Sequence, residues 1–149
     1  MFLNTSYEVI VNGIEAAIVA QLLKFIGHFL RTKKVDFQVL ATTGGMPSSH
    51  TAGVISLSTT VGFICGFDSV EFAIALGYSL VVMYDAAGLR RATGKIAACL
   101  NKVREDFYAN GQMPTERLKE LLGHTPLEVF GGALLGIYIA YVNHFHLFQ

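Results

Sequence analysis

Residues Leu127–Phe145 read LEVFGGALLGIYIAYVNHF, an apolar run whose one charged residue, Glu128, lies at its start. A helix needs about 20 residues to cross the hydrocarbon core of a bilayer, so this run predicts a membrane-spanning helix. Three further apolar runs of similar length lie at Tyr7–Leu30, Thr51–Phe67 and Val70–Ala87. The sequence therefore predicts an all-α fold, a polytopic membrane helix bundle with about four transmembrane helices.

The overall composition agrees with a small membrane protein. Hydrophobic residues make up 52% of the 149 residues and charged residues only 15%, whereas a soluble domain carries about 25% charged residues. The mean hydropathy of +0.48 and the net charge of zero argue against a soluble nucleic-acid-binding protein. The length suits one domain, so we expect residues 1–149 to form a single membrane-embedded domain.

The basic residues are distributed unevenly along the chain. All eleven Lys and Arg residues lie either at Lys24–Lys34 or at Arg90–Lys119. With four spans, these two regions face the same side of the membrane, and the positive-inside rule places that side in the cytoplasm. We therefore expect a multi-pass protein of the cell (inner) membrane with both termini outside.

The long basic connector from Gly88 to Gly123 is predicted to hold helices of its own. Ala92–Phe107 and Thr115–Leu122 have helical composition, and the first places apolar residues three and four positions apart. We interpret both as cytoplasmic interfacial helices that lie over the membrane face.

The string GGMPSSH at Gly44–His50 precedes the second span on its cytoplasmic side. Pro47 suits a helix start and Ser48 suits an N-cap. The free N–H groups and the positive dipole end of such a helix can bind an anion. His50 could donate or accept a proton there. The alternative is an ordinary capped helix start with a histidine at the interface.

A second string, GHTPLE at Gly123–Glu128, begins the fourth span. His124 and Glu128 are four residues apart, so a helical turn can bring them together. A carboxylate bound to one imidazole nitrogen fixes the tautomer and raises the basicity of the other nitrogen, as a nucleophile or a base requires. Thr125 and Glu128 also form a capping-box pattern with Pro126 at the first helical position, and the two interpretations can coexist.

Cationic residues complete the set of candidates. Arg90 and Arg91 follow Asp85 at the end of the third span, and an arginine pair suits bidentate recognition of phosphate. Topology alone, or binding to anionic lipid, would also explain them. Lys24, inside the first span, is a further candidate, with snorkelling to the interface as its alternative.

The two strings, the arginine pair and Lys24 lie on different predicted spans but toward the same face of the membrane. Two histidines and several cations, without a cluster of cysteines or carboxylates, suit an oxyanion better than a metal ion. We expect no metal and no other cofactor.

The chain resembles the divergent branch of the type 2 phosphatidic acid phosphatase superfamily, which is related to vanadium haloperoxidases. The superfamily pattern is K-x6-R-P, then P-S-G-H, then S-R-x5-H-x3-D. Pro47–His50 reads PSSH and so resembles the second motif, with Ser in place of Gly. His124-x3-Glu128 resembles the end of the third, with Glu in place of Asp. Lys24 fits the first by its spacing to Arg31, although Thr32 replaces the proline.

Two departures from the superfamily pattern affect the site and the bundle. The S-R pair is missing, since Leu118 lies six positions before His124. We therefore expect Arg90 or Arg91 to supply the phosphate-binding arginine. Four spans, where six helices are common in the superfamily, make a thin bundle that a homodimer or the interfacial helices would complete.

The resemblance implies an integral membrane lipid-phosphate phosphatase that works without a metal. His124 would attack phosphorus and form a phosphohistidine, with Glu128 orienting it, and His50 would protonate the leaving alkoxide. Phosphate-binding groups would be Lys24, Ser48, Ser49 and Arg90 or Arg91. A site that faces the cytoplasm would meet phosphomonoester lipids of the inner leaflet, such as phosphatidylglycerol phosphate or phosphatidic acid.

Three alternatives to a phosphatase remain open at the level of sequence. The first is a non-enzymatic membrane protein that binds anionic lipid or a protein partner through its basic loops. The second is a small transporter component that uses Glu15, Lys24 and Asp85 as intramembrane charges. The third is a metal site formed by His50, Asp85, His124 and Glu128.

Overall fold

The computed structural model describes residues 6–37, 45–108 and 123–147. Five α-helices run through them: α1 (Ser6–Thr32), α2 (Ser49–Cys65), α3 (Val70–Tyr84), α4 (Arg90–Tyr108) and α5 (Pro126–Val142). Two wider turns of π-helix follow α3 and α5, the first π turn at Asp85–Leu89 and the second at Asn143–Leu147. The described residues contain no strand, so the predicted all-α class is confirmed.

The bundle consists of four helices. Its central helix is α2, which packs against α1, α3 and α5. Asn12, near the start of α1, bonds to Thr60, near the end of α2, so these two helices are antiparallel. Ser48, at the start of α2, bonds to Glu128, at the start of α5, so these two helices are parallel. The starts of α2 and α5 lie beside the end of α1, and we call this the His124 end. The start of α1 lies beside the ends of α2 and α5, and we call this the Glu8 end.

Three stretches of helix are long and apolar enough to cross a membrane: Ser6–Thr32, Val70–Arg104 and Pro126–His146. The fourth bundle helix, α2, has 17 residues, which is the lower limit for a span of the bilayer core. The prediction of a membrane bundle with about four helices is therefore confirmed.

The structure extends the third predicted span. α3 does not end in a loop at Gly88 but continues through the first π turn into α4. α4 contains the predicted helix Ala92–Phe107, and its apolar residues Ile96, Leu100 and Val103 are exposed. The helix predicted at Thr115–Leu122 lies outside the described residues.

The interior of the bundle is lined by small and polar side chains. The buried face of α1 repeats every four residues and consists of Glu8, Asn12, Ala16, Ala20 and Lys24. Large apolar side chains of the same helix, such as Ile14 and Ile18, are exposed. This distribution is typical of helices in lipid, where small residues allow close packing and polar groups bond between helices.

Two glycines let α5 approach the backbone of α2 closely. A Cβ atom on Gly132 would lie 2.5 Å from the carbonyl oxygen of Ser48, and one on Gly136 would collide with the carbonyl oxygen of Ala52. The Gly132-x3-Gly136 pattern therefore sets the distance between α2 and α5. Because both helices begin at the His124 end, this contact also sets the distance between the two sequence motifs.

Candidate functional site

The start of α5 holds a histidine against a carboxylate. Thr125 caps the helix, Pro126 follows it, and the hydroxyl of Thr125 accepts from the N–H of Glu128 at 3.3 Å. In return, Glu128 Oε2 accepts from the N–H of Thr125 at 3.1 Å. The same oxygen lies 3.1 Å from Nδ1 of His124. The capping box and the histidine–carboxylate pair therefore coexist in one turn.

This contact determines the tautomer of His124. A carboxylate oxygen only accepts, so Nδ1 carries a proton, and in the neutral ring the lone pair then lies on Nε2. The side chain of His124 is 3% exposed and that of Glu128 is 21% exposed. Burial of the imidazole limits its motion, so the ring is held in one orientation.

The first π turn holds the backbone of His124. The N–H of His124 donates to the carbonyl oxygen of Ala86 at 3.1 Å. A π-helical turn interrupts the regular hydrogen bonds of an α-helix, and such turns are frequent at functional sites. Here Ala86 of the π turn provides an acceptor that ties the end of α3 to His124, two positions before the start of α5.

The start of α2 lies directly beside the start of α5. Ser48 is the N-cap of α2, and its hydroxyl accepts from the N–H of Thr51 at 3.4 Å and from the hydroxyl of Thr51 at 3.1 Å. The backbone N–H of Ser48 donates to the carbonyl oxygen of Glu128 at 3.0 Å. The two strings, 80 positions apart in sequence, therefore meet. Ser48 and Ser49 are both buried.

Lys24 of α1 reaches the same end of the bundle. It is only 7% exposed, so its side chain is buried rather than extended to the surface. Its stem lies against Gly45, where an added Cβ atom would be 3.3 Å from Cδ of Lys24. The ammonium group is close enough to interact electrostatically with the carboxylate of Glu128. Lys24 thus brings a positive charge to the site.

His50 lies on a different side of α2. Thr51 and Ala52 face α5, whereas Gly53, one turn after His50, packs against Gly13 of α1. The exposed side chain of His50 accordingly faces α1. It lines a cavity of about 480 Å³ whose other walls are formed by Ile14, Ala17, Ile18, Gln21, Leu22 and Ser49.

The remaining candidates are the two arginines. Arg90 and Arg91 form the first turn of α4, directly after the π turn that binds the backbone of His124. Their side chains lie outside what the structure describes, so their predicted contact with phosphate stays a prediction. Arg31, matched to the first motif by spacing, is exposed in the last turn of α1.

The alternative of a metal site finds no support in the geometry. His50, Asp85, His124 and Glu128 are all described, yet no three His, Cys, Asp or Glu side chains within the described ranges are grouped so that they could hold a metal ion.

Sequence reasoning missed two parts of the site, the carbonyl of Ala86 and the hydroxyl of Thr51, because neither residue belongs to a recognisable motif. The glycines of the GGMPSSH string suggest a close approach of the backbone, and Gly45 does lie against the stem of Lys24. Gly45 also has a positive φ of 85°, a backbone conformation that favours glycine.

The fold and this end of the bundle define a helical membrane protein in which a carboxylate-bound histidine, a capped helix start and a buried lysine converge. The chain belongs to the Divergent PAP2 family, whose model matches residues 5–139. It is also 39% identical over 153 residues to the uncharacterized membrane protein YuiD of Bacillus subtilis (strain 168), an alignment that covers 95% of this chain and 96% of that protein. No solved structure gives a significant match. The predicted family resemblance is confirmed.

Proposed function

We propose that the protein is a membrane phosphatase that hydrolyses a phosphomonoester lipid through a phosphohistidine at His124. The observation that carries the proposal is the 3.1 Å contact between Nδ1 of His124 and Oε2 of Glu128. With the proton of the neutral ring on Nδ1, Nε2 would be the attacking atom, at the end of the bundle that also holds the capped start of α2 and the buried Lys24. Membership in the Divergent PAP2 family supports the same chemistry.

In the first step, Nε2 of His124 attacks phosphorus and the bond from phosphorus to the lipid oxygen breaks. His50 lies on the α1 side of α2, so the ester must extend from His124 across the start of α2, where His50, protonated beforehand, gives its proton to the departing alkoxide. The carboxylate of Glu128 stabilises the positive charge that the ring of His124 acquires. The products of this step are the lipid alcohol and phosphohistidine.

In the second step, neutral His50 takes a proton from water, whose oxygen attacks the phosphorus. The bond from phosphorus to Nε2 breaks, inorganic phosphate leaves, and His124 returns with its proton on Nδ1. Lys24, Ser48, Ser49 and either Arg90 or Arg91 would hold the phosphoryl oxygens in both steps. Preorganised donors of this kind supply most of the catalysis in phosphoryl transfer.

Ser48 is suited to this role by its existing hydrogen bonds. Its hydroxyl oxygen accepts from the N–H and from the hydroxyl of Thr51. These bonds leave the O–H proton of Ser48 to donate to a phosphoryl oxygen. The start of the α2 helix adds its positive dipole end at the same place.

The position of His50 supports a lipid as the substrate. The cavity that His50 lines is bordered by Ile14, Ile18 and Leu22, which are exposed on the outer surface of α1. A lipid chain lying in this cavity would bring its phosphate ester toward His50, where the alkoxide must be protonated. With the orientation predicted from the basic residues, the substrate would come from the cytoplasmic leaflet, as phosphatidylglycerol phosphate or phosphatidic acid do.

Phosphate release by purified protein tests the proposal. Wild type, His124→Ala and His50→Ala would be assayed on detergent-solubilised phosphatidic acid and phosphatidylglycerol phosphate, with vanadate and with a chelator. We expect inhibition by vanadate, none by the chelator, and losses of roughly 10³-fold or more in each variant, because groups that act as a unit are each indispensable.

His146→Ala is the matched control, since His146 is exposed at the opposite end of the bundle. It should keep wild-type turnover. Equal phosphate release by wild type and His124→Ala, or no release from any lipid phosphate by wild type, would contradict the proposal.

A further inference from the structure

A second group of buried polar side chains lies at the Glu8 end, away from the proposed active site. Nδ2 of Asn12 donates to Oγ1 of Thr60 at 2.9 Å, and Nδ2 of Asn143 donates to Oδ1 of Asn12 at 2.8 Å. Nδ2 of Asn143 also donates to Oε2 of Glu15 at 2.6 Å. These bonds join α1, α2 and the second π turn. We call the group formed by Glu8, Asn12, Glu15, Thr60, Asn143 and His144 the Glu8 cluster.

Glu8 is the most buried charged residue of this cluster. It is 0% exposed, and its Oε1 lies 2.7 Å from Nδ1 of His144. The ring of His144 stacks on Phe63 at 5.0 Å between centroids and meets the edge of Phe145, also at 5.0 Å. The two rings therefore hold the imidazole of His144 against the carboxyl group of Glu8.

The second oxygen of the same carboxyl group is left without a partner. Oε2 of Glu8 is buried and, within the part of the chain that the structure describes, accepts no hydrogen bond. Because Oε1 contacts His144, the carboxyl group lies inside the cluster. Burying a carboxylate oxygen without a hydrogen-bond partner costs folding free energy. A ligand bound to this oxygen would therefore stabilise the folded protein.

The charges of the cluster point to the kind of ligand. Glu8 and Glu15 carry two negative charges when ionised, and His144 can supply at most one positive charge. No Lys or Arg residue precedes Lys24, lies between His50 and Leu89, or follows Lys119. Lys24 is nine residues beyond Glu15, about 13 Å along the helix axis. The cluster therefore lacks one positive charge that no basic side chain of these segments provides.

The other titratable groups at this end do not change the balance. They are exposed: Tyr7, Cys65, Asp68, Glu71, Tyr141 and His146. Besides the ring of Phe63, the groups that α2 is seen to bring to the cluster are uncharged hydroxyls, those of Thr60 and of Ser56, which donates to the carbonyl of Asn12 at 3.0 Å.

We propose that the Glu8 cluster is a binding site for one monovalent cation, either a proton or a sodium ion, at the unpaired oxygen of Glu8. The bound charge neutralises the cluster and so holds the start of α1 to the end of α5. The site does not depend on the proposed phosphatase activity, because it lies at the other end of the bundle and is tested by stability.

The test is thermal unfolding of the full-length protein in nanodiscs of zwitterionic lipid. In the sodium arm, sodium chloride replaces choline chloride at constant ionic strength and at about pH 8. In the proton arm, the pH is varied between about 5 and 8 without sodium, over the range in which histidines titrate. Because a ligand that binds only the folded state raises the Tm, we expect a rise of a few degrees in one arm for wild type.

Glu8→Gln removes the charge and keeps the shape, so it should lose that rise. Glu71→Gln, which removes an exposed carboxylate at the same end, should keep it. Should Glu8→Gln fail to fold, Glu15→Gln removes the second negative charge and should also lose the rise. A response to sodium identifies the ion as sodium, and a response only to pH identifies the proton.

Two results would overturn the proposal. One is a wild-type Tm that moves in neither arm. The other is a Glu8→Gln or Glu15→Gln protein whose Tm follows that of wild type in both arms.

Discussion

The backbone N–H of Ser48 donates to the carbonyl oxygen of Glu128 at 3.0 Å, and this bond joins the start of α2 to the start of α5. The side chain of Glu128 contacts Nδ1 of His124 at the same time. One residue therefore positions α2 through its backbone and the imidazole through its carboxylate. Changes that move α5 relative to α2 should disturb both halves of the site together.

Glu128 both caps the start of α5 and orients the ring of His124, and two substitutions separate these roles. Glu128→Gln keeps an oxygen that can accept from the N–H of Thr125, but it removes the charge opposite His124. We expect kcat to fall by at least roughly 10- to 100-fold, the range for losing the carboxylate partner of a metal-bound histidine, with little change in Tm. Glu128→Ala should lose the cap as well, at about 0.5–2 kcal/mol. Wild-type kcat in Glu128→Gln would show that the carboxylate does not act on His124.

Gly45 is expected to tolerate no side chain. Its φ is 85°, and a Cβ atom there would lie 3.3 Å from Cδ of Lys24. Gly45→Ala should cost about 1–3 kcal/mol in backbone strain and shift Lys24 away from the substrate, which raises KM. Thermal unfolding and steady-state kinetics measure the two effects.

Gly77→Ala is the matched control, because a Cβ atom at Gly77 would meet no atom within 4 Å. In the interior of α3 it should be neutral or stabilising by up to about 1 kcal/mol. Equal behaviour of the two variants would contradict the strained position of Gly45.

Gly132 should be essential for the packing of α5 on α2. A Cβ atom there would lie 2.5 Å from the carbonyl oxygen of Ser48 and 3.2 Å from its Cβ. Gly132→Ala must push the two helices apart, so we expect a lower Tm and a loss of turnover. Gly27→Ala, where the added atom meets nothing within 4 Å, should lower neither the Tm nor the turnover. A Gly132→Ala protein with the Tm and turnover of wild type would show that the contact is not needed.

The cavity beside His50 should select for the chain of the substrate. Ile18 lines this cavity and is 53% exposed, so a tryptophan there fills space without entering the core. Ile18→Trp should lower kcat/KM for long-chain lipid phosphates more than for short-chain ones. Ile10→Trp, at an equally exposed position two turns earlier on α1, should change neither. An equal loss on both chain lengths would argue against a chain in this cavity.

The helices and the local contacts of the site could be predicted from the sequence. Apolar length alone placed the four bundle helices to within a few residues, because a bilayer imposes that length. The pairing of His124 with Glu128 follows from four-residue spacing in a helix start, and the cap at Ser48 follows from its residue type. These contacts join residues within four positions of each other, so the spacing of residue types along the chain predicts them.

The long-range contacts could not be predicted in this way. The bond between Ser48 and Glu128 joins segments 80 positions apart and depends on how α5 packs on α2. The carbonyl of Ala86 accepts from the N–H of His124, a residue 38 positions later, and no local pattern indicates that contact. His50 faces α1 rather than α5 because Gly53 packs against Gly13, a choice that side-chain spacing within α2 does not determine.

Detection of a covalent phosphohistidine tests the central claim most directly. Wild-type protein mixed with a lipid phosphate that carries labelled phosphorus would be quenched within one turnover and digested. We predict an acid-labile, base-stable label on the peptide that contains His124, absent in His124→Ala and present in His146→Ala. Hydrolysis by wild type without any labelled histidine, or the same label in His124→Ala, would contradict nucleophilic attack by His124.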